Sequence, residues 1–240
     1  MKICLFTSGY IRTLSAVFDK NINLIKSIHP NSKIDICYSF WDQNHLSDRI
    51  NVPWHYRINN YNFGEISKDK INDYFHSLGI DEIFGDIESF SISEKIIQES
   101  SFISEKRRLS SQYYKIYSVA ERYFSKGYDL YVTIRPDVII QKFISEQEVK
   151  NFKTKNSIIV NKNYWYNALY DGKDCNEYIW ISNENTFFKS NSQYLHLTQL
   201  IKQVKECYGE IITGTHFKNL LFSGDISNID IFDFDYRVVR

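Results

Sequence analysis

The stretch Tyr128–Ile140, YDLYVTIRPDVII, constrains this chain more than any other. Leu130, Val132 and Ile134 alternate with Tyr131 and Thr133, all residue types that suit a pleated, buried surface. A strand with apolar side chains toward both faces belongs in the middle of a sheet that is covered on both sides. It stops at Arg135-Pro136-Asp137, because proline has no N–H for a ladder and keeps the preceding residue extended. Arg135 and Asp137 are two residues apart on extended backbone and therefore project to the same side. The expectation is a guanidinium beside a carboxylate at the carboxyl end of a central strand, where open α/β sheets bind ligands.

In chain order, KICLF at 2–6 reads as a first strand that runs into Thr7-Ser8-Gly9 and then a helix, with Arg12 near its start. Leu14, Val17, Phe18, Ile22, Ile25 and Ile28 recur at helical spacing until Pro30. KIDICYSF at 33–40 is a second strand ending in Trp41-Asp42, and Trp54–Ile58 is a third candidate. Ser67 caps a helix that Gly79 stops. Residues 79–104 read as a surface insertion or flap. A helix over 105–126, closed by Gly127, feeds the Tyr128 strand. Short strands at 157–160 and 178–182 flank a polar loop containing Asp174; helices follow over 184–207 and 209–222, and a terminal strand over 229–239. With no repeat or linker, this alternation predicts one α/β domain over 1–240, a mostly parallel sheet with helices on both faces.

A strand, turn and helix opening suits anion binding. TSGYIRTL contains neither GxGxxG nor GxxxxGK[ST], which argues against a dinucleotide fold, a P-loop and the phosphate loop of a kinase or sulfotransferase. The 29 basic and 29 acidic residues balance, so the charge footprint of a nucleic-acid binder is missing. The N-terminus lacks a signal-peptide h-region, and no run approaches the roughly 20 apolar residues of a membrane span, so a soluble cytoplasmic protein is expected. Cys4, Cys37, Cys175 and Cys207 form no CxxC pair and read as buried thiols. The 18 Tyr and 17 Phe fit either codon bias or sugar-stacking surface.

The succession TSGYIRTL, ICYSFWD, SQYYKIYSVAERYFSKGYDLYVTIRPDVII, DCNEYIWISNE and YGEIITGTHFKNLL resembles a family of small bacterial glycosyltransferases from capsule and O-antigen loci. The resemblance touches most of the chain; its specific parts are the SGxxRT turn and the Arg-x-Asp strand end. It implies a GT-A-like, Rossmann-like fold, a nucleotide-sugar donor, and a carbohydrate or lipid-linked oligosaccharide acceptor used in surface polysaccharide synthesis. A lipid-linked acceptor would make the protein a peripheral visitor to the inner membrane, although no clearly basic amphipathic helix is visible. In the family an Asp-x-Asp-like element meets the sugar nucleotide. Here its first position is Arg135, which leaves one carboxylate for Mg²⁺ or Mn²⁺.

On that reading Asp137 holds the metal ion or binds a sugar or ribose hydroxyl, against a plain turn aspartate. Arg135 clamps phosphate oxygens or pairs with Asp137. Ser8, Gly9 and Arg12 meet the diphosphate. Asp42 binds the ribose or base edge while Trp41 stacks, against an N-cap beside a core tryptophan. Lys115 is a phosphate contact; Tyr113 belongs to the apolar stripe. Asp174 and Glu210 are the candidate bases that take the acceptor proton, Glu210 being equally a helix-start acid. His216 is a candidate metal ligand or phosphate contact, against a structural histidine. The alternative function is a non-catalytic nucleotide- or carbohydrate-binding module of the same fold.

Overall fold

The computed structural model describes residues 1–11, 14–43, 66–99, 107–161, 178–204 and 209–238. The strands are β1 (Lys2–Gly9), β2 (Lys33–Trp41), β3 (Ile83–Glu88), β4 (Leu130–Ile134), β5 (Val138–Ile140), β6 (Ser157–Asn161), β7 (Ile179–Ser182), β8 (Asn228–Phe232) and β9 (Tyr236–Val238). The helices are α1 (Leu14–Ile28), α2 (Lys68–Ser77), α3 (Phe90–Glu99), α4 (Arg107–Tyr123), α5 (Glu146–Phe152), α6 (Phe187–Ser190), α7 (Gln193–Gln203) and α8 (Gly209–Phe222). The main sheet is seven-stranded, in the order β3-β2-β1-β4-β7-β6-β8. All neighbours in it run parallel except β7, which is antiparallel to both β4 and β6.

β4 takes the middle place, and every one of its residues is buried. Leu130, Val132 and Ile134 enter the larger core with α1, α2 and α5, through residues such as Phe18, Ile25, Phe75 and Phe152. Tyr131 faces the opposite side with Cys4, Phe6, Cys37 and the α4 residues Val119 and Ala120. Helices α7 and α8 cover β6, β7 and β8 on that second side through Leu197, Leu200, Ile212 and Phe217. Helices on both faces of a mostly parallel sheet are thus established. The thiols of Cys4 and Cys37 are free, buried and 3.5 Å apart; Cys175 and Cys207 lie outside the described residues.

Helix signals behave as the spacing implies. Ser67 caps α2 by accepting from the Lys70 amide, and Gly79 follows with a positive φ of 68°. α4 ends at Tyr123, short of Gly127, whose φ is 92°.

Two expectations are corrected. Of the stretch 79–104, residues 79–99 supply an edge strand of the main sheet and the helix α3, not an inserted flap, and 100–104 lie outside the described residues. The strand IFGDIE hides because Gly85 and two acids interrupt its apolar pattern; a Cβ at Gly85 would run into the Tyr38 ring. The terminal segment is two strands rather than one. β8 joins β6, whereas β9 pairs with β5 in a separate two-stranded sheet, and Asp235 with φ 41° turns the chain between them. The Trp54–Ile58 strand lies outside the described residues.

Asn21 interrupts the apolar stripe of α1, and its amide explains why. Nδ2 donates to the Val138 carbonyl at 2.8 Å and Oδ1 accepts from the Ile140 amide at 2.9 Å, so the side chain serves as a pairing partner for the inner edge of β5. Asn21→Leu would strand both backbone groups in the core and should lower stability by roughly 2–4 kcal/mol. A urea midpoint unchanged from the native protein would show that β5 does not need this bridge.

Candidate active site at the carboxyl edge of the sheet

From β1 the chain steps outward to β2 and β3, then returns across β1 to β4. The carboxyl ends of β1 and β4 therefore form a topological switch point, where open α/β sheets leave a crevice. The register deepens it. β1 stays paired with β2 through Gly9↔Phe40, but its pairing with β4 stops at Phe6↔Thr133. Gly9 closes β1 with a φ of 108°, and a Cβ there would meet nothing within 4 Å. A ligand can thus approach the backbone closely, and the conformation strains any other residue. Ser8, beside it, is half-buried. Arg12 lies outside the described residues.

Across the notch, the β4 end is shaped by a bidentate ion pair. Arg135 Nε donates to Asp137 Oδ1 at 3.0 Å and Nη2 to Oδ2 at 2.7 Å. The guanidinium carbon sits 4.4 Å from the centre of the Tyr178 ring, and the Arg135 amide donates to the Tyr178 carbonyl at 3.0 Å. Asp137 is 1% exposed and the Arg135 side chain 17%. The two groups share a side, as their spacing implies, and Arg135 pairs with Asp137.

That geometry bears on the metal expectation. A divalent cation of the Mg²⁺ or Mn²⁺ class takes about six oxygen ligands. Both oxygens of Asp137 already accept guanidinium hydrogens, and among the described residues no three His, Cys, Asp or Glu converge. The described residues do not fit a divalent-cation cage.

A second group of charges joins the ends of β2 and β3 to α4. Lys115 is fully enclosed; Nζ donates to Ser39 Oγ at 2.9 Å, to the Phe40 carbonyl at 3.2 Å and to Glu88 Oε2 at 2.7 Å, and lies 4.0 Å from the Trp41 ring centre. Arg122 pairs with Glu88 and, at 2.8 Å, with Asp86. Asp86 also accepts from Ser39 Oγ at 2.6 Å and Tyr123 OH at 2.7 Å. Burial works to raise the Asp86 pKa, but the hydrogen bonds from Ser39, Tyr123 and Arg122 and the Lys115 charge outweigh it and hold it below the ordinary value. Burial lowers the Lys115 pKa, and Glu88 opposes that.

Trp41 is 1% exposed, with Lys115 over its ring, Tyr114 stacked at 6.3 Å and Phe90 edge-on at 6.2 Å. The indole is therefore packed among these neighbours rather than set out for a nucleobase. Asp42, next to it, is exposed; its Oδ1 accepts from the Phe90 amide at 2.8 Å and its own amide donates to the Glu88 carbonyl at 3.0 Å. It caps α3 and still presents its other oxygen. Lys115, read from sequence as a phosphate contact, spends its donors inside the fold.

Tyr113 is core, its hydroxyl 2.9 Å from Thr213 Oγ1. His216 is buried, its Nε2 2.8 Å from the Lys189 carbonyl, and burial pushes its pKa down to about 4. Glu210 belongs to the first turn of α8, but its side chain lies outside the described residues, as does Asp174. The structure thus brings together Gly9, Asp42 and Arg135 on one edge and adds Asp86, Glu88 and Arg122, which sequence reasoning missed. The signal was available: Asp86 and Glu88, two apart in a strand, share a face.

Neither protein-family models nor curated protein sequences give a match to this chain. Solved structures do. The chain is similar to mouse xyloside xylosyltransferase 1 in its apo form, with a TM-score of 0.52 and 11% identity, over 97% of this chain and 86% of the other. It is also similar to the galactosyltransferase LgtC in complex with donor and acceptor sugar analogues, with a TM-score of 0.51 and 10% identity, over 96% of this chain and 73% of the other. These likenesses, with the sheet order, show a GT-A-like α/β fold.

Two outcomes follow from the charges. Arg135→Met removes the bidentate guanidinium from the buried Asp137 carboxylate and should cost about 3–5 kcal/mol, whereas Arg135→Met/Asp137→Leu should regain most of it; equal losses in guanidinium melts for both variants would deny the coupling. Asp86, held ionised by folding, contributes fully above the unfolded aspartate pKa of about 3.9, and that contribution is lost as pH falls through the lower native value. Stability should drop below about pH 4, and less steeply in Asp86→Asn, when melting temperature is followed against pH.

Proposed function

We propose that the chain is a glycosyltransferase domain over its whole length, moving a sugar from a nucleotide-sugar donor to a carbohydrate or lipid-linked oligosaccharide acceptor in surface polysaccharide synthesis. The observation that carries this reading is the likeness in fold to two glycosyltransferases over 96% and 97% of the chain, one of them captured with donor and acceptor sugar analogues. The notch between β1 and β4 supports it, since it sits where such a sheet binds its ligand.

In this reading the nucleoside half lies on the β1–β2 side, with the free oxygen of Asp42 taking ribose hydroxyls. Gly9 lets the diphosphate approach the backbone, and Arg12 and the rim of Arg135 offset its charge. In an inverting transfer, Asp174 or Glu210 takes the proton of the acceptor hydroxyl; the new bond forms between that oxygen and the anomeric carbon while the bond from that carbon to the phosphate oxygen breaks, and the nucleoside diphosphate leaves. The described residues include no helix long and apolar enough to cross a membrane. Work on a lipid-linked acceptor would then take place in the cytoplasm at the inner leaflet, by peripheral contact.

One observation favours a second reading, a binding module that has lost its chemistry: the single carboxylate of the Arg-x-Asp element is sealed against Arg135 at 1% exposure. Incubation with UDP-, GDP- and CMP-sugars, with and without Mn²⁺, separates the two. Turnover of one donor, with about a tenfold rise in its KM in Asp42→Asn, supports the enzyme, the size being that of one lost charge-assisted hydrogen bond. Tight nucleotide binding without turnover supports the module, and no binding of any nucleotide or sugar removes both.

A further inference from the structure

We infer that Lys115 is a positioning residue for the nucleoside half of the donor, acting through the end of β2 and Asp42 rather than by touching phosphate. The inference rests on the glycosyl-transfer reading above. The ammonium has three hydrogens and three acceptors, Ser39 Oγ, the Phe40 carbonyl and Glu88 Oε2, in a fully enclosed site. No donor remains for a ligand. Two of those acceptors are consecutive residues of β2, and the next residue, Trp41, lies under the charge at 4.0 Å. Three successive positions are thus held by one side chain, immediately before the exposed Asp42.

Asp42 is fixed from its other side as well, by the Phe90 amide and the Glu88 carbonyl. Glu88 therefore joins both halves of the clamp: its carboxylate takes Lys115 and its carbonyl takes the Asp42 amide. Stability does not by itself account for a lysine at this place, because apolar replacements of buried ion pairs are often neutral or stabilising. What the ionic arrangement adds is one orientation for the strand end, and displacement of a binding group by about 1 Å can cost as much as a hundredfold in rate.

The test compares Lys115→Met with Ile116→Ala, a neighbouring α4 core residue packed toward β7 and α7. For each, donor KM and kcat are measured alongside melting temperature, with nucleotide dissociation constants by calorimetry. Positioning predicts that Lys115→Met raises donor KM and the nucleotide dissociation constant about tenfold with kcat within about twofold, while Ile116→Ala lowers melting temperature and leaves both constants unchanged. Should Lys115→Met fail to fold, the charge-balanced Lys115→Met/Glu88→Gln takes its place with the same expectation. Native constants in the lysine variant, or shifts in both variants that track only melting temperature, overturn the inference while leaving glycosyl transfer intact. A native protein that neither binds nor turns over any nucleotide sugar overturns the transfer reading and this inference with it.

Discussion

Burial of β4 on both faces is the constraint from which the rest of the architecture follows. A strand whose side chains are apolar in both directions cannot lie at an edge, so β1, β2 and β3 stack on one side of it and β7, β6 and β8 on the other. The chain must therefore double back across β1 to reach it, and the crevice at the carboxyl ends of β1 and β4 is a by-product of that return. Pro136 ends the strand where the crevice opens. The core and the candidate site are thus two results of one placement.

Charge at this edge is handled in two ways. At the end of β4, Arg135 and Asp137 are joined by two hydrogen bonds in a bidentate pair. At the ends of β2 and β3, two cations and two carboxylates interlock between strands and helix, with Lys115 and Arg122 sharing Glu88. Neither group is a row of unengaged cations awaiting an anion. Where it is described, the edge presents open backbone at Gly9, the outer oxygen of Asp42 and the partly exposed rim of Arg135.

The parts that were legible in the sequence are those with local causes. Apolar alternation gave away β4, helical stripes gave away α1 and α4, and Ser67 and Gly79 marked the ends of α2. The Arg-Pro-Asp strand end could be placed because proline acts on its own neighbours. What escaped depends on distant partners. Ser39 and Lys115 are 76 positions apart, and Lys115 and Glu88 are 27 apart, so no spacing rule unites them. The Tyr178 ring beneath Arg135 likewise comes from far along the chain. β3 escaped because Gly85 makes room for Tyr38 of the next strand, a packing requirement that looks in sequence like a loop signal.

The reversal of β7 has an evolutionary reading. Because β6 ends and β7 begins at the same edge as Gly9, Asp42 and Arg135, residues spliced between them enter the chain at that edge while both strands keep their pairing. Lengthening such a connection is entropically cheap, growing only with the logarithm of its size. Selection can therefore vary that connection by insertion and deletion, one cassette at a time, on a scaffold whose strand pairing stays untouched.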